Sequence, residues 1–181
     1  MADKEKVLSQ LTGLFIEHGY SGTTLANIAN TTGLGRGSLY HMFKGGKAQM
    51  LREVFQAVSQ QFEREVIAPL EDNDITKMFN GLQTFYEDGK SQSLSSLVTL
   101  DAKGGDFQNL IQDHYTSWRA ALTKALLHAG VARGEAASLS ERTIAGIEGA
   151  LVLGAAFDDT DALSRTIRTL KTHIKAATKS K

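Results

Sequence analysis

Residues 33–47 read GLGRGSLYHMFKGGK. Glycine stands at 33, 35, 37, 45 and 46, and basic residues at 36, 44 and 47. A run of this kind is a loop that cradles phosphates, a nucleophile elbow, or a pair of short helices with glycine at the joints. A Walker loop needs Gly-x-x-x-x-Gly-Lys-Ser/Thr. Gly46-Lys47 supply its Gly-Lys, but His41 occupies the first glycine position and Ala48 the last. A dinucleotide loop follows a strand, whereas the preceding segment, LANIANTT at 25–32, carries helical spacing. An elbow needs glycine two residues either side of its serine, and Ser38 has Arg36 and Tyr40 there.

The helical reading survives. Residues 24–43 fit a helix-turn-helix. Leu25, Ile28 and Ala29 face inward, with Ala29 small where the two helices approach. Gly33 supplies a turn conformation that other residues disfavour. Leu34 fills the space between the helices, and Leu39 and Phe43 close the core. Arg36, Gly37, Ser38, Tyr40, His41 and Lys44 are left pointing outward. A short helix with that face suits a DNA major groove. Arg36 reaches a guanine edge or a phosphate, Gly37 and Ser38 permit close approach to bases, and the Tyr40 hydroxyl and Lys47 serve phosphates. The plainer alternative is a small exposed helical turn with no nucleic-acid role.

Working outward, the remaining chain is also helical in pattern. Val7, Leu8, Leu11, Leu14 and Phe15 follow a 3.6-residue period up to a stop at Gly19, and Thr23 or Thr24 caps the next helix. Met50 to Val66 stripe a long helix expected to end near Ala68, because proline disfavours helical geometry in the residue before it. The only proline, Pro69, followed by EDND, marks the sequence's strongest break and reads as a hinge. Ile75 to Tyr86 form another stripe. After a turn signal, KGGD at 103–106, Phe107 to Ala129 form a longer one. Residues 140–157 are apolar on most sides, Leu163, Ile167, Leu170 and Ile174 step by helical turns, and KAATKSK at the end reads as a fraying tail.

With 181 residues and 41% hydrophobic content, the chain is long enough for a buried core. It has no cysteine, which removes disulfides and thiolate metal sites and suits a reducing cytoplasm. No two of His18, His41, His114, His128 and His173 stand three or four residues apart, so no helical metal site is expected. No catalytic nucleophile, carboxylate pair or cofactor motif emerges, and no membrane segment is expected. Net charge is zero, but residues 1–52 carry +3 and residues 53–181 carry −3. A basic piece on an acidic body fits a polyanionic partner at one end.

The combination Phe15, Gly19-Tyr20, Gly22-Thr23-Thr24, Ile28-Ala29, Gly33-Leu34 and Gly37 to Phe43 resembles the DNA-binding domain of TetR-family transcriptional regulators. Arg36 to His41, Tyr115-x-x-Trp118 and Ile147 to Leu151 are similar to the LmrA/YxaF-like subgroup. The chain departs from it at Met42, commonly a second histidine, at Lys44, often proline, and in a Phe43–Lys47 run one residue longer than usual. These departures bear on operator sequence.

The resemblance implies an all-α fold, with a three-helix DNA-binding domain at 1–48 and an effector-binding and dimerisation domain at 49–181. It implies a homodimeric repressor on a palindromic double-stranded operator, released by a small hydrophobic or aromatic effector. Thr23 and Thr24 join Arg36, Gly37, Ser38, Tyr40, His41, Lys44 and Lys47 as expected DNA-contacting residues. Phe79, Tyr86, Tyr115 and Trp118 are expected to line an effector pocket, although aromatics at helical spacing also build plain cores. Ile144, Ile147, Leu151, Leu163, Ile167 and Leu170 are expected at a four-helix dimer interface, the alternative being an internal core helix. Glu148 contacts ligand or partner, or faces solvent. The alternative function is a small-molecule-binding or adaptor protein of the same fold that has lost operator recognition.

Overall fold

A computed structural model describes residues 3–101 and 107–179, and within them every regular element is helical. The helices are α1 (Lys4–Gly22), α2 (Leu25–Thr32), α3 (Arg36–Met42), α4 (Gly46–Phe62), α5 (Ala68–Glu71), α6 (Ile75–Phe85), α7 (Leu94–Asp101), α8 (Gln108–His128), α9 (Arg133–Phe157) and α10 (Ala162–Lys179). A π-turn at Glu63–Ile67 joins α4 to α5, and a 3-10 turn at Glu87–Gly89 follows α6. The expected turn KGGD lies outside the described residues.

The chain divides into two compact units, Met1–Gln60 with Leu94–Gln112, and Gln61–Ser93 with Asp113–Lys181. In the first unit, α1 begins at Asp3, whose carboxylate accepts from Glu5 N–H at 3.1 Å. Its inward face, Val7, Leu11, Leu14 and Phe15, meets Ile28, Leu39, Phe43, Met50, Leu51, Val54 and Phe55 in one core. Each such side chain stabilises the fold by roughly 1.5–3 kcal/mol on burial. The helix bends at Gly19 (φ 68°) and resumes to Gly22, beyond the expected stop.

The second unit corrects the expected end at Ala68. Pro69 has no N–H, so the Glu65 carbonyl loses its helical donor. The helix widens instead, with Ala68 N–H donating to the Glu63 carbonyl five residues back, and the chain stays helical to Glu71. The Glu65 carbonyl faces Gly81 on α6, where any Cβ would overlap it. Helical geometry through the proline thus depends on a glycine in another helix.

Leu163, Ile167, Leu170 and Ile174 bury the inner face of α10 in the core shared with Ile147 and Leu151 of α9. The expected interface residues Ile147, Leu151, Leu163, Ile167 and Leu170 are therefore interior to the protomer, and Ile144 is half-buried against the same core. A helix apolar on most sides turned one of those sides inward. Its solvent-facing apolar side chains are instead Val152, Leu153 and Phe157, 54%, 54% and 75% exposed, with Ala145 and Ala156 beside them. The end of the chain also departs from expectation, because KAATK is the last turn of α10 rather than a frayed tail.

Candidate nucleic-acid interface

Thr24, not Thr23, caps α2. Its hydroxyl accepts from Asn27 N–H at 3.1 Å while the Asn27 side chain accepts from Thr24 N–H at 3.1 Å, a reciprocal capping box. Gly33 ends the helix in the left-handed region (φ 68°), its N–H returning to the Ala29 carbonyl at 2.9 Å. Gln10 of α1 donates to the Thr31 carbonyl at 2.8 Å and ties the turn to the scaffold. Leu34 packs partly buried between the helices, and Leu39 and Phe43 are fully buried beneath α3. The inner side of the helix-turn-helix is complete.

Its outer side is a continuous exposed row of Arg36, Gly37, Ser38, Tyr40, His41 and Lys44. Tyr40 is half exposed, unusual for a large aromatic with a core one residue away. Gly37 is informative. It sits within α3, its φ is ordinary, and a Cβ placed there would meet nothing within 4 Å. Glycine in a helix costs up to about 1 kcal/mol relative to alanine. Nothing within the chain requires that cost, and the same holds for Gly13, Gly134 and Gly149 in other helices; what sets Gly37 apart is its place on the exposed face of α3.

Two expected contacts have other roles. Thr23 is fully buried, and its hydroxyl donates to the Gly19 carbonyl at 2.6 Å and the Leu14 carbonyl at 3.2 Å. Its side chain is scaffold, not surface. Lys47 donates to the Tyr20 and Thr23 carbonyls at 2.7 and 2.9 Å, which occupies two of its three N–H donors. Lys4 and Glu53, which spacing did not single out, form a 2.7 Å ion pair between α1 and α4. Burial alone would raise the Glu53 carboxyl. The Lys4 and Gln49 hydrogen bonds and the Lys4 charge outweigh burial and hold it below the usual carboxylate range.

The aromatics expected to bind an effector fall in the core of the second unit. Phe79, Tyr86 and Trp118 are buried and Tyr115 partly so. Rings of Phe62, Phe85 and His114 connect three of them. Phe62 meets Trp118 at 4.9 Å, His114 at 4.7 Å and Phe85 at 5.1 Å, Phe85 meets Tyr86 at 4.9 Å, and His114 meets Tyr115 at 5.2 Å. Phe79 stands apart from this chain of rings, under the Lys171 ammonium at 5.6 Å. The signal for His114 was its four-residue step to Trp118, which puts both on one face of α8.

Polar groups punctuate this core. Burial pushes the His114 imidazole down from 6.5 to about 4, so it is neutral at pH 7. Burial and then the Glu148 charge push the Tyr86 hydroxyl well above the usual phenol range, while a Ser93 hydrogen bond opposes them. Ser93 also donates to Glu148 at 3.2 Å, so Glu148 is partly buried rather than a free solvent-facing carboxylate. The Trp118 Nε1–H is buried with no acceptor among the described residues. No described helix is long and apolar enough to cross a membrane.

Known proteins share this arrangement. Residues 7–54 match the tetR family of bacterial regulatory proteins, and residues 73–169 match the C-terminal domain of LmrA/YxaF-like transcriptional regulators. The HTH-type transcriptional regulator LmrA of Bacillus subtilis is 27% identical over 162 residues, covering 83% of this chain and 85% of its own. The uncharacterized HTH-type transcriptional regulator YxaF of the same organism is 25% identical over 163 residues, 83% of each. The crystal structure of a TetR transcriptional regulator from Legionella pneumophila superposes with a TM-score of 0.83 at 19% identity, over 96% of this chain and 97% of that one. One from Agrobacterium tumefaciens gives 0.80 at 21% identity, over 93% and 95%. With a regulator's helix-turn-helix in one unit, an all-helical second unit and both halves matched, the chain belongs to the TetR family of transcriptional regulators, in its LmrA/YxaF-like subgroup, and is not an enzyme.

Proposed function

We propose that this regulator works in the cytoplasm as a homodimeric, ligand-responsive repressor whose α3 enters the major groove of each half of a palindromic operator. The exposed row on α3 carries the reading, with Gly37 leaving its backbone open to close approach. Arg36, Ser38, Tyr40 and His41 supply base and phosphate contacts, Thr24 and Lys44 flank them, and the remaining donor of Lys47 adds a phosphate contact. Residues 1–48 carry this function, and residues 49–181 carry effector binding and dimerisation.

Two observations support the rest. The solvent-facing stripe Ala145, Val152, Leu153, Ala156 and Phe157 on α9 suits a second copy of this chain, whose identical helix would cover it about a two-fold axis. The unmatched Trp118 N–H beside Phe62 suits a small aromatic effector. Effector and operator then oppose each other through a coupling energy on the order of 1–3 kcal/mol.

The test is to incubate the protein with fragmented genomic DNA from its source and sequence what it retains. A short inverted repeat should be enriched, with affinity falling steeply as salt rises. A folded dimer that enriches nothing at moderate salt would overturn the reading.

A further inference from the structure

The turn between α1 and α2 is gripped from two sides by opposite charges. Gly19 breaks the helix with φ 68° and ψ 177°, which leaves backbone groups nearby without helical partners. Of the donors among them, Ser21 N–H goes to Asp101 Oδ2 of α7 at 2.7 Å, and Tyr20 N–H also donates to that carboxylate. The acceptors, the Tyr20 and Thr23 carbonyls, receive Lys47 of α4 at 2.7 and 2.9 Å. The Lys47 ammonium also lies 4.4 Å from the centroid of the Tyr20 ring, which meets Phe107 at 5.3 Å and Phe15 at 6.3 Å. A Cβ on Gly19 would stand 2.7 Å from Asp101 Oδ2, so glycine serves both the positive φ and the close approach of the carboxylate.

The bonds are charge-assisted. The Ser21 side chain, then its amide, holds the Asp101 carboxyl below the usual carboxylate range, and the Lys47 charge adds to the effect. The gripped turn leads directly into Thr24, the cap of α2. Asp101 and Phe107 belong to the stretch Leu94–Gln112, whose neighbours in sequence on both sides belong to the second unit. A displacement of that stretch is therefore delivered to the turn that starts the helix-turn-helix.

We propose that Asp101 is a positioning residue for operator binding: with Lys47 it clamps residues 19–23 and so sets the pose of α2 and α3 without touching DNA. This rests on the DNA-binding reading above. The clamp predicts a sign that a bystander carboxylate would not give. Removing a negative charge ordinarily strengthens binding to a polyanion, whereas removing this one should weaken it.

The experiment compares wild type with Asp101→Ala and Asp101→Asn, the latter keeping one carbonyl acceptor but no charge. Amide hydrogen exchange is followed without DNA, and affinity is measured for the duplex that wild type selects. Exchange across 19–34 should quicken about tenfold in Asp101→Ala, and operator affinity should fall by about tenfold, as expected for losing a hydrogen bond to a charged group. Asp101→Asn should lie between the two in both readouts, and it carries the test if Asp101→Ala does not fold. Unchanged or tighter operator binding overturns the positioning role. Unchanged exchange across 19–34 overturns the clamp itself. A wild type that selects no duplex overturns the DNA-binding reading and the positioning role with it, while exchange still reports whether the clamp exists.

Discussion

The helix α3 and the core around Trp118 both display aromatic, basic and hydroxyl-bearing residues at helical spacing, yet they face opposite ways. On α3 the apolar residues Leu39 and Phe43 are used up inside, and Arg36, Ser38, Tyr40 and His41 stand in solvent. Around Trp118 the same kinds of group are interior, with neutral His114 and the Tyr86 hydroxyl among rings. A surface of the first kind is free to vary without endangering the fold. A core of the second kind ties any recognition chemistry to stability. The comparison predicts that substitutions in the second unit's interior act first on folding, while those on α3 act on binding alone.

The largest effect should come from Gly81→Ala. Its methyl would overlap the Glu65 carbonyl oxygen, a backbone atom that cannot swing aside. We expect a loss of about 3 kcal/mol or more, read as a drop in the denaturant midpoint. An unchanged midpoint would show that α6 and the π-turn do not approach so closely, and the account of Pro69 would fail with it.

Next comes acid. The folded His114 titrates near 4 and the unfolded residue near 6.5, so the unfolded chain takes up the proton first. This contribution is fully present above about pH 6.5, is lost as pH falls towards 4, and is constant below that. The loss is on the order of 3 kcal/mol. Denaturant unfolding of wild type and His114→Phe between pH 7 and 4 should show a clearly steeper loss in wild type, the variant keeping only the slope of the carboxylates. Parallel curves would remove His114 from the interior.

On α3 the effects are smaller and of another kind. Arg36→Ala should cost about 1–3 kcal/mol of operator binding, measured by anisotropy titration, with the unfolding midpoint unmoved because the side chain is exposed. A fall in stability with no change in affinity would break the comparison at its first term.

The same contrast explains what could be read in the sequence. Leu39, Phe43 and Gly33 obey rules that act over a few residues, and each lies where spacing put it. The helix beyond Ala68 was not legible, because the local rule at Pro69 is overridden by Gly81, twelve residues away. Neither was the inward side of α9, since a segment apolar on most sides carries no mark of which side meets α10. Thr23 and Thr24 look alike in sequence, and only the Gly19 bend decides that one hydroxyl turns in and the other caps α2. The Trp118 core was legible as a set of aromatics and not as a connected chain of rings, because Phe62 and Phe85 arrive from different helices.

The smallest expected effect is the sharpest test. Gly37→Ala places a methyl where the chain has nothing within 4 Å. It should stabilise α3 by about 0.5 kcal/mol, less than a mid-helix change because the position lies in the first turn. If α3 meets DNA at backbone distance, the same methyl must weaken operator binding, so stability and affinity should move in opposite directions. A gain in stability with unchanged affinity would leave Gly37 without an interface role, and the observation that supports α3 as the reading helix would then rest on its side chains alone.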